Sequence, residues 1–203
     1  MFVPVKITFK WADNISKQIM STISLRKDHD LIEKVLKSMW AAVTLLKDGK
    51  TIPESILVPV VDFTKNFTDV CHHGKEENSL FPQLEKKGMP RNAGPIAVML
   101  MEHEITRKIS HRMEESLQVY VKTGDSSQLV TDMTEYINHV MQHVWKENNR
   151  LFMMADMALQ DQTSEVNQGL LQLEESKLKV IGKSREDYEK LAEELDKKIS
   201  TIS

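Results

Sequence analysis

Apolar positions recur at helical spacing along most of the chain. From Ser24 onward, Leu25, Ile32, Leu36, Met39, Val43 and Leu46 fall on one helix face together with His29, until Asp48-Gly49 offers a stop. Pro53 suits a helix start, and Ile56, Val60, Phe63, Phe67 and Val70 carry a second helix to about Lys87, where Gly88-Met89-Pro90 ends it and Pro82 interrupts it late. After the loop containing Asn92 and Gly94-Pro95, the positions Ile96, Met99, Leu100, His103, Ile109 and Met113 predict a third helix that stops near Gly124-Asp125. Ser126 and Ser127 offer an N-cap for a fourth, with Leu129, Met133, Tyr136, Val140, Val144 and Leu151 as its stripe.

Four such runs joined by short loops predict an all-α fold, an antiparallel up-down four-helix bundle whose core can hold side chains from every helix. The expected organisation is a lead-in over residues 1–22, the bundle over 23–159 and a helical extension over 160–203. In the lead-in, Val3, Val5, Ile7 and Phe9 alternate like a short strand before Trp11 and Asp13 break the pattern. In the extension, Tyr188, Leu191 and Leu195 form the apolar stripe of a charged helix from about Arg185 to Lys198 that packs on the bundle.

Composition narrows the chemistry. Seven Gly and six Pro in 203 residues favour long helices. With 27 basic and 30 acidic residues and no block of like charge, nucleic acid is not the expected partner. No stretch approaches the roughly 20 apolar residues of a membrane span, and the start at Met1 lacks a signal-peptide pattern, so a cytoplasmic protein is expected. Cys71 is the single cysteine, which leaves a metal to be held by histidine and carboxylate. The twelve methionines read as adaptable core filling.

The most informative feature is an internal echo. Residues 72–81, HHGKEENSLF, and residues 143–152, HVWKENNRLF, both read H-x-x-K-E-x-x-x-L-F. A histidine and a glutamate four apart sit one above the other on a helix, so His72 with Glu76 and His143 with Glu147 each present an imidazole and a carboxylate to one point. Imidazoles and hard oxygens without thiolate suit iron or manganese. Two buried His-Glu pairs without a cation would carry a heavy desolvation cost. His29 and His103 bring a histidine from each of the other two helices.

At this point the sequence resembles the hemerythrin-like family, the HHE cation-binding domain, over about residues 24–159. The motifs are Asp28-His29-Asp30, then Cys71 through Glu77 with Leu80-Phe81-Pro82, then Gly94-Pro95-Ile96 leading to Glu102-His103-Glu104, and His143 through Phe152. The resemblance implies His29, His72, Glu76, His103, His143 and Glu147 as ligands of two iron ions, a non-haem di-iron centre bridged by the two glutamates and an oxo or hydroxo group. His73 is added as a seventh ligand. In the oxygen-carrying hemerythrins the third helix uses an H-x-x-x-H pair; here Arg107 stands in place of the second histidine, and the doubled histidine on the second helix is read as compensation.

On the second helix two registers stand. A wheel anchored on Phe63 and Phe67 favours His73 and Glu77, whereas the echo favours His72 and Glu76; Thr64 and Thr68 would line the cavity on the His72 side, and a local helix distortion brings both histidines inward. His139 is expected at the rim, His111 in solvent, and Glu77, Glu102 and Glu104 outside the ligand set. An imidazole-rich site favours reversible binding of oxygen, peroxide or nitric oxide. The leading expectation is a carrier or sensor of such a ligand; the alternatives are an oxidoreductase consuming peroxide or nitric oxide, and an iron donor for the repair of damaged iron-sulfur clusters.

Overall fold

Apolar positions three and four apart drive each segment into a helix with one buried face, and the computed structural model, which describes residues 20–202, realises this for every predicted run. The alternating residues Val3 to Phe9 lie outside the described residues. Helix α1 spans Ile23–Lys47 and ends where Gly49 takes a positive φ of 75°. Helix α2 is continuous over residues 54–86 and changes type along its length, with α-helix over Glu54–Asp62, π-helix over Phe63–His73 and Glu76–Leu80, and α-helix again over Phe81–Lys86. Pro82 does not interrupt it: the proline sits in the first turn of the last α segment, next to a π turn.

Helix α3 spans Gly94–Thr123 and closes on Gly124 in the left-handed conformation. Helix α4 runs over residues 127–158, with a π turn at Glu147–Leu151. Its start is satisfied by the Asp125 carboxylate, which accepts the Ser127 N–H at 2.9 Å, and not by a Ser126 side chain. The C-terminal extension is two helices: α5, Thr163–Ile181, and α6, Arg185–Ser200, whose capping box at Ser184 and Asp187 fixes its entry. Sequence patterning found α6 and missed α5. Among the described residues no strand occurs, and no helix is long and apolar enough to cross a membrane.

The apolar core is in two parts. The larger unites Ile32, Met39, Phe63, Phe67, Met113, Tyr136 and Val140 with Tyr188 and Leu195 of α6. The smaller gathers Leu25, Leu80, Phe81, Ile96, Met99, Leu151 and Phe152 with Val166 and Leu170 of α5. On each of α1 to α4 the candidate histidines lie where one part gives way to the other. Packed apolar layers on both sides keep bulk water from the polar cluster between them and strengthen every charge interaction inside it.

Candidate metal centre

All seven sequence-predicted residues come together. His29, His72, His103 and His143 are at most 1% exposed, and His73, Glu76 and Glu147 are fully buried. One ligand atom from each of His29, His72, Glu76 and Glu147 lies within 4.8 Å of the others, and the same holds for Glu76, His103, His143 and Glu147. The two groups share both glutamates. His73 joins His103 and His143 in a third group.

The imidazoles are oriented from outside. His72 Nδ1 donates to Asp28 Oδ2 at 3.1 Å, His29 Nδ1 to Asn148 Oδ1 at 2.9 Å, His143 Nδ1 to Glu102 Oε2 at 3.0 Å and His103 Nδ1 to Glu77 Oε1 at 2.7 Å. His73 Nδ1 faces Asp69 Oδ1 at 3.3 Å. With the Nδ1 atoms so engaged, the rings turn their Nε2 atoms into the cluster, where each neutral ring offers a lone pair. His29 Nε2 and His72 Nε2 stand 3.1 Å apart, and His103 Nε2 is 3.3 Å from Glu76 Oε2.

Seven buried atoms of these residues have no hydrogen-bond partner among the described residues: Nε2 of His73, His103 and His143, and all four carboxylate oxygens of Glu76 and Glu147. Buried polar atoms are almost always paired, so a convergent set of unpaired lone pairs is the inventory of a cation site. The donor set of imidazole nitrogen and carboxylate oxygen fits iron.

The echo continues into the surroundings. Asp28 immediately precedes His29 and Glu102 immediately precedes His103. Each accepts from the echoed histidine and from the echoed lysine: Asp28 from His72 and, at 2.6 Å, from Lys75; Glu102 from His143 and from Lys146. Asn148 and Glu77 follow the two echoed glutamates and receive His29 and His103. The Glu of each motif also opens a π turn, at Glu76–Leu80 and at Glu147–Leu151.

Charge tuning follows from these contacts. Burial pushes the Glu76 carboxyl up to about 8, with the Glu147 charge adding to the rise. Glu147 is equally buried, but His143, His103 and His29 hold it well below the ordinary carboxylate value. Burial lowers His72 to about 4, against the pull of Asp28, and holds His73 well below its ordinary value with help from His103 and His143. Glu102 falls to about 2 despite its partial burial because His143 and Lys146 bond its carboxylate.

Arg107 stays out of the cluster and works on its outer layer. Its Nε bonds Asp69 Oδ1 at 2.7 Å and its Nη2 bonds Glu77 Oε1 at 2.7 Å, the acceptors that face His73 and His103. On α2, Glu76 points inward and Glu77 is turned towards His103 Nδ1 and Arg107. The Thr64 hydroxyl pairs with Ser110 Oγ at 2.8 Å. His139 bonds the Glu102 carbonyl at 3.0 Å at the rim, His111 is exposed, and Glu104 is a surface partner of Arg107. Sequence reasoning missed Asp28, Lys75, Glu174 and Arg185 as parts of this outer layer. For Asp28 and Lys75 the signals were present, in the acid just before His29 and the lysine inside the echo.

Comparison with known proteins agrees with this geometry. The model of the hemerythrin HHE cation binding domain matches residues 21–155. An iron-sulfur cluster repair protein YtfE from Yersinia pseudotuberculosis is 29% identical over 109 residues, 52% of this chain and 48% of that protein. The YtfE protein of Edwardsiella ictaluri is 31% identical over 150 residues, 69% of this chain and 64% of that protein. That of Salmonella schwarzengrund is 36% identical over 86 residues, covering 40% and 39%. The chain thus spans about half the length of the curated relatives it matches. No solved structure matches it.

Proposed function

The chain belongs to the family of hemerythrin HHE cation-binding domains, and from that premise we propose that it is a non-haem di-iron protein that reversibly takes up oxygen or a related small ligand as a carrier or sensor. His29 and His72 would hold one iron and His73, His103 and His143 the other, with Glu76 and Glu147 shared between the two groups. Iron would supply the redox-active ligand-binding site; the residues orient the donor atoms and exclude water. The observation that carries the reading is the set of seven unpaired buried atoms aimed into one space.

The inventory favours small-ligand binding. Three imidazoles and two carboxylates crowd one half, whereas the other has two imidazoles and the same two carboxylates, leaving more room there for an added ligand. The finer fold belongs to the same proposal: an antiparallel up-down bundle over residues 23–159 with 160–203 as an extension. Its support is an alternation of the two core parts. Along α1 the smaller precedes the larger, from Leu25 to Ile32; along α2 the order reverses, from Phe67 to Phe81; α3 and α4 alternate again.

A second reading, delivery of iron for the repair of damaged iron-sulfur clusters, is favoured by the names of the relatives. One experiment separates the two. Reduced, anaerobically loaded protein with about two irons per chain is exposed to oxygen, then to vacuum, and in parallel to an apo iron-sulfur protein. A visible band that appears and disappears reversibly supports carriage; irreversible bleaching together with iron transfer supports delivery. Loading that saturates at one iron or none would refute the di-iron centre.

A further inference from the structure

Residues 163–200 lie beyond the family match, which ends at 155, yet they place two charges against the metal centre's outer layer. Arg185, the first residue of α6, donates from Nη2 to Asp28 Oδ1, and its Nε and Nη2 bond the Glu174 carboxylate of α5 at 2.7 and 2.9 Å. Lys75 Nζ bridges the same two acids, at 2.6 Å from Asp28 and 2.5 Å from Glu174. Asp28 Oδ2, the oxygen that Lys75 approaches, also accepts from His72 Nδ1. His72, Asp28, Arg185 and Glu174 therefore form one continuous chain of charge-assisted bonds from the imidazole to the extension.

The corresponding half of the echo has no such cover among the described residues. Glu102 answers there to Lys146 alone among lysines and arginines, and the Lys146 side chain is 37% exposed where that of Lys75 is 0%. The motif itself records the difference. Where α4 carries Trp145, 55% exposed, α2 carries Gly74, and a Cβ at Gly74 would come within 3.2 Å of Lys177 Cε of α5. The side chain is missing from α2 where the extension passes over it.

We propose that the C-terminal extension is a working part of the metal centre, with Arg185 and Glu174 as positioning residues that hold the His72 ring on its iron through Asp28. The inference rests on the di-iron reading above. Anchoring Asp28 from two elements fixes both the tautomer and the direction of the ring. The iron held by His29 and His72 is thus retained by the extension, and the iron on the Glu102 side is not.

The test compares wild type with Arg185→Ala, Glu174→Gln and Arg185→Lys, with Arg112→Ala on the surface as control, all as full chains loaded anaerobically with iron-57. Release of each iron to a chelator is timed, and the two iron environments are resolved by Mössbauer spectroscopy. Loss of an orienting partner costs metal affinity about 10- to 100-fold, so in Arg185→Ala one iron should leave at least about tenfold faster and one of the two signals should move, with partial recovery in Arg185→Lys. Folded Arg185→Ala and Glu174→Gln proteins with both release rates and both signals unchanged would overturn the proposal, as would equal changes at both irons. If Arg185→Ala fails to fold by circular dichroism, Glu174→Gln and Arg185→Lys decide the question by the same two readouts. Wild type that takes up no iron refutes the di-iron reading and this proposal together; normal wild-type loading with indifferent variants refutes this proposal alone.

Discussion

Replacing Glu76 by glutamine should change stability in opposite directions with and without metal. In the metal-free protein two buried carboxylates face each other, and burial with the neighbouring Glu147 charge raises Glu76 from its ordinary 4.5 to about 8. A carboxyl raised on folding binds its proton more tightly in the folded state. Its effect on stability is absent below about pH 4.5, and stability then falls as the pH rises to about 8. At pH 7 the folded protein keeps a proton that the unfolded chain has released; from 4.5 to 7, at about 1.4 kcal/mol per pH step, the cost is about 3 kcal/mol. A glutamine at this position has no proton to bind, so this cost disappears. The new amide loses part of the gain where it lacks a partner, and a net stabilisation of about 1–3 kcal/mol is expected. At roughly 2–4 °C per kcal/mol for a chain of this size, the melting temperature of the metal-free variant should rise by roughly 2–12 °C.

With iron the sign reverses, because Glu76→Gln removes a bridging carboxylate and with it the metal's contribution to stability. The assay is thermal or urea unfolding followed by circular dichroism, on metal-free and anaerobically loaded protein, at about pH 7 and about pH 5. The variant should gain at pH 7 without metal, gain much less at pH 5, and lose relative to wild type when loaded. A metal-free variant less stable than wild type at pH 7, or an advantage as large at pH 5, would refute the reasoning.

Lys75 and Lys146 occupy equivalent places in the echo but differ in burial. Lys75→Met removes the one fully buried cation bonded to Asp28 and Glu174 and leaves both acids to Arg185, so it should cost about 2–4 kcal/mol, whereas Lys146→Met should cost at most about 1 kcal/mol; equal costs in urea unfolding would contradict the structure. Arg107→Ala frees Asp69 and Glu77, the acceptors facing His73 and His103, so one iron should be lost to a chelator about tenfold more readily, and unchanged retention would remove Arg107 from the outer layer. Burial pushes the Cys71 thiol up to about 12, leaving about one thiolate in ten thousand at pH 8. A disulfide reagent should therefore react only after denaturant is added, and prompt reaction of the folded protein would refute that burial.

Legibility in the sequence followed the length of the pattern. Helices α1, α3 and α4 are long, their apolar stripes are regular, and glycines stand near their ends, so period and punctuation agree. The cluster was legible because the echo runs over ten positions with the same residue at six of them. Helix α5 was not legible: Val166, Leu170 and Leu178 are its buried apolar residues, and the gap between Leu170 and Leu178 is filled on the inner side by Glu174. That acid broke the stripe, and it is the residue that binds Lys75 and Arg185. Partners supplied from a hundred residues away leave no local trace.

The histidines of both α2 registers, His72 and His73, are buried, for one physical reason. A wheel with a fixed 3.6-residue period anchored on Phe63 and Phe67 favours His73 and carries His72 to the opposite side. Helix α2 carries i→i+5 bonding over eleven residues, Phe63–His73, so each residue advances less around the axis and Phe67, Cys71, His72 and His73 are all buried. In α4 the π turn begins only at Glu147, four residues after His143, and the position matching His73 is Val144, which packs in the apolar core. The asymmetry of the centre, three imidazoles in one group against two in the other, thus goes with the placement of π bonding. A substitution that restores α-helical bonding around Phe67 should turn one of the two adjacent histidines away, even though neither has been changed.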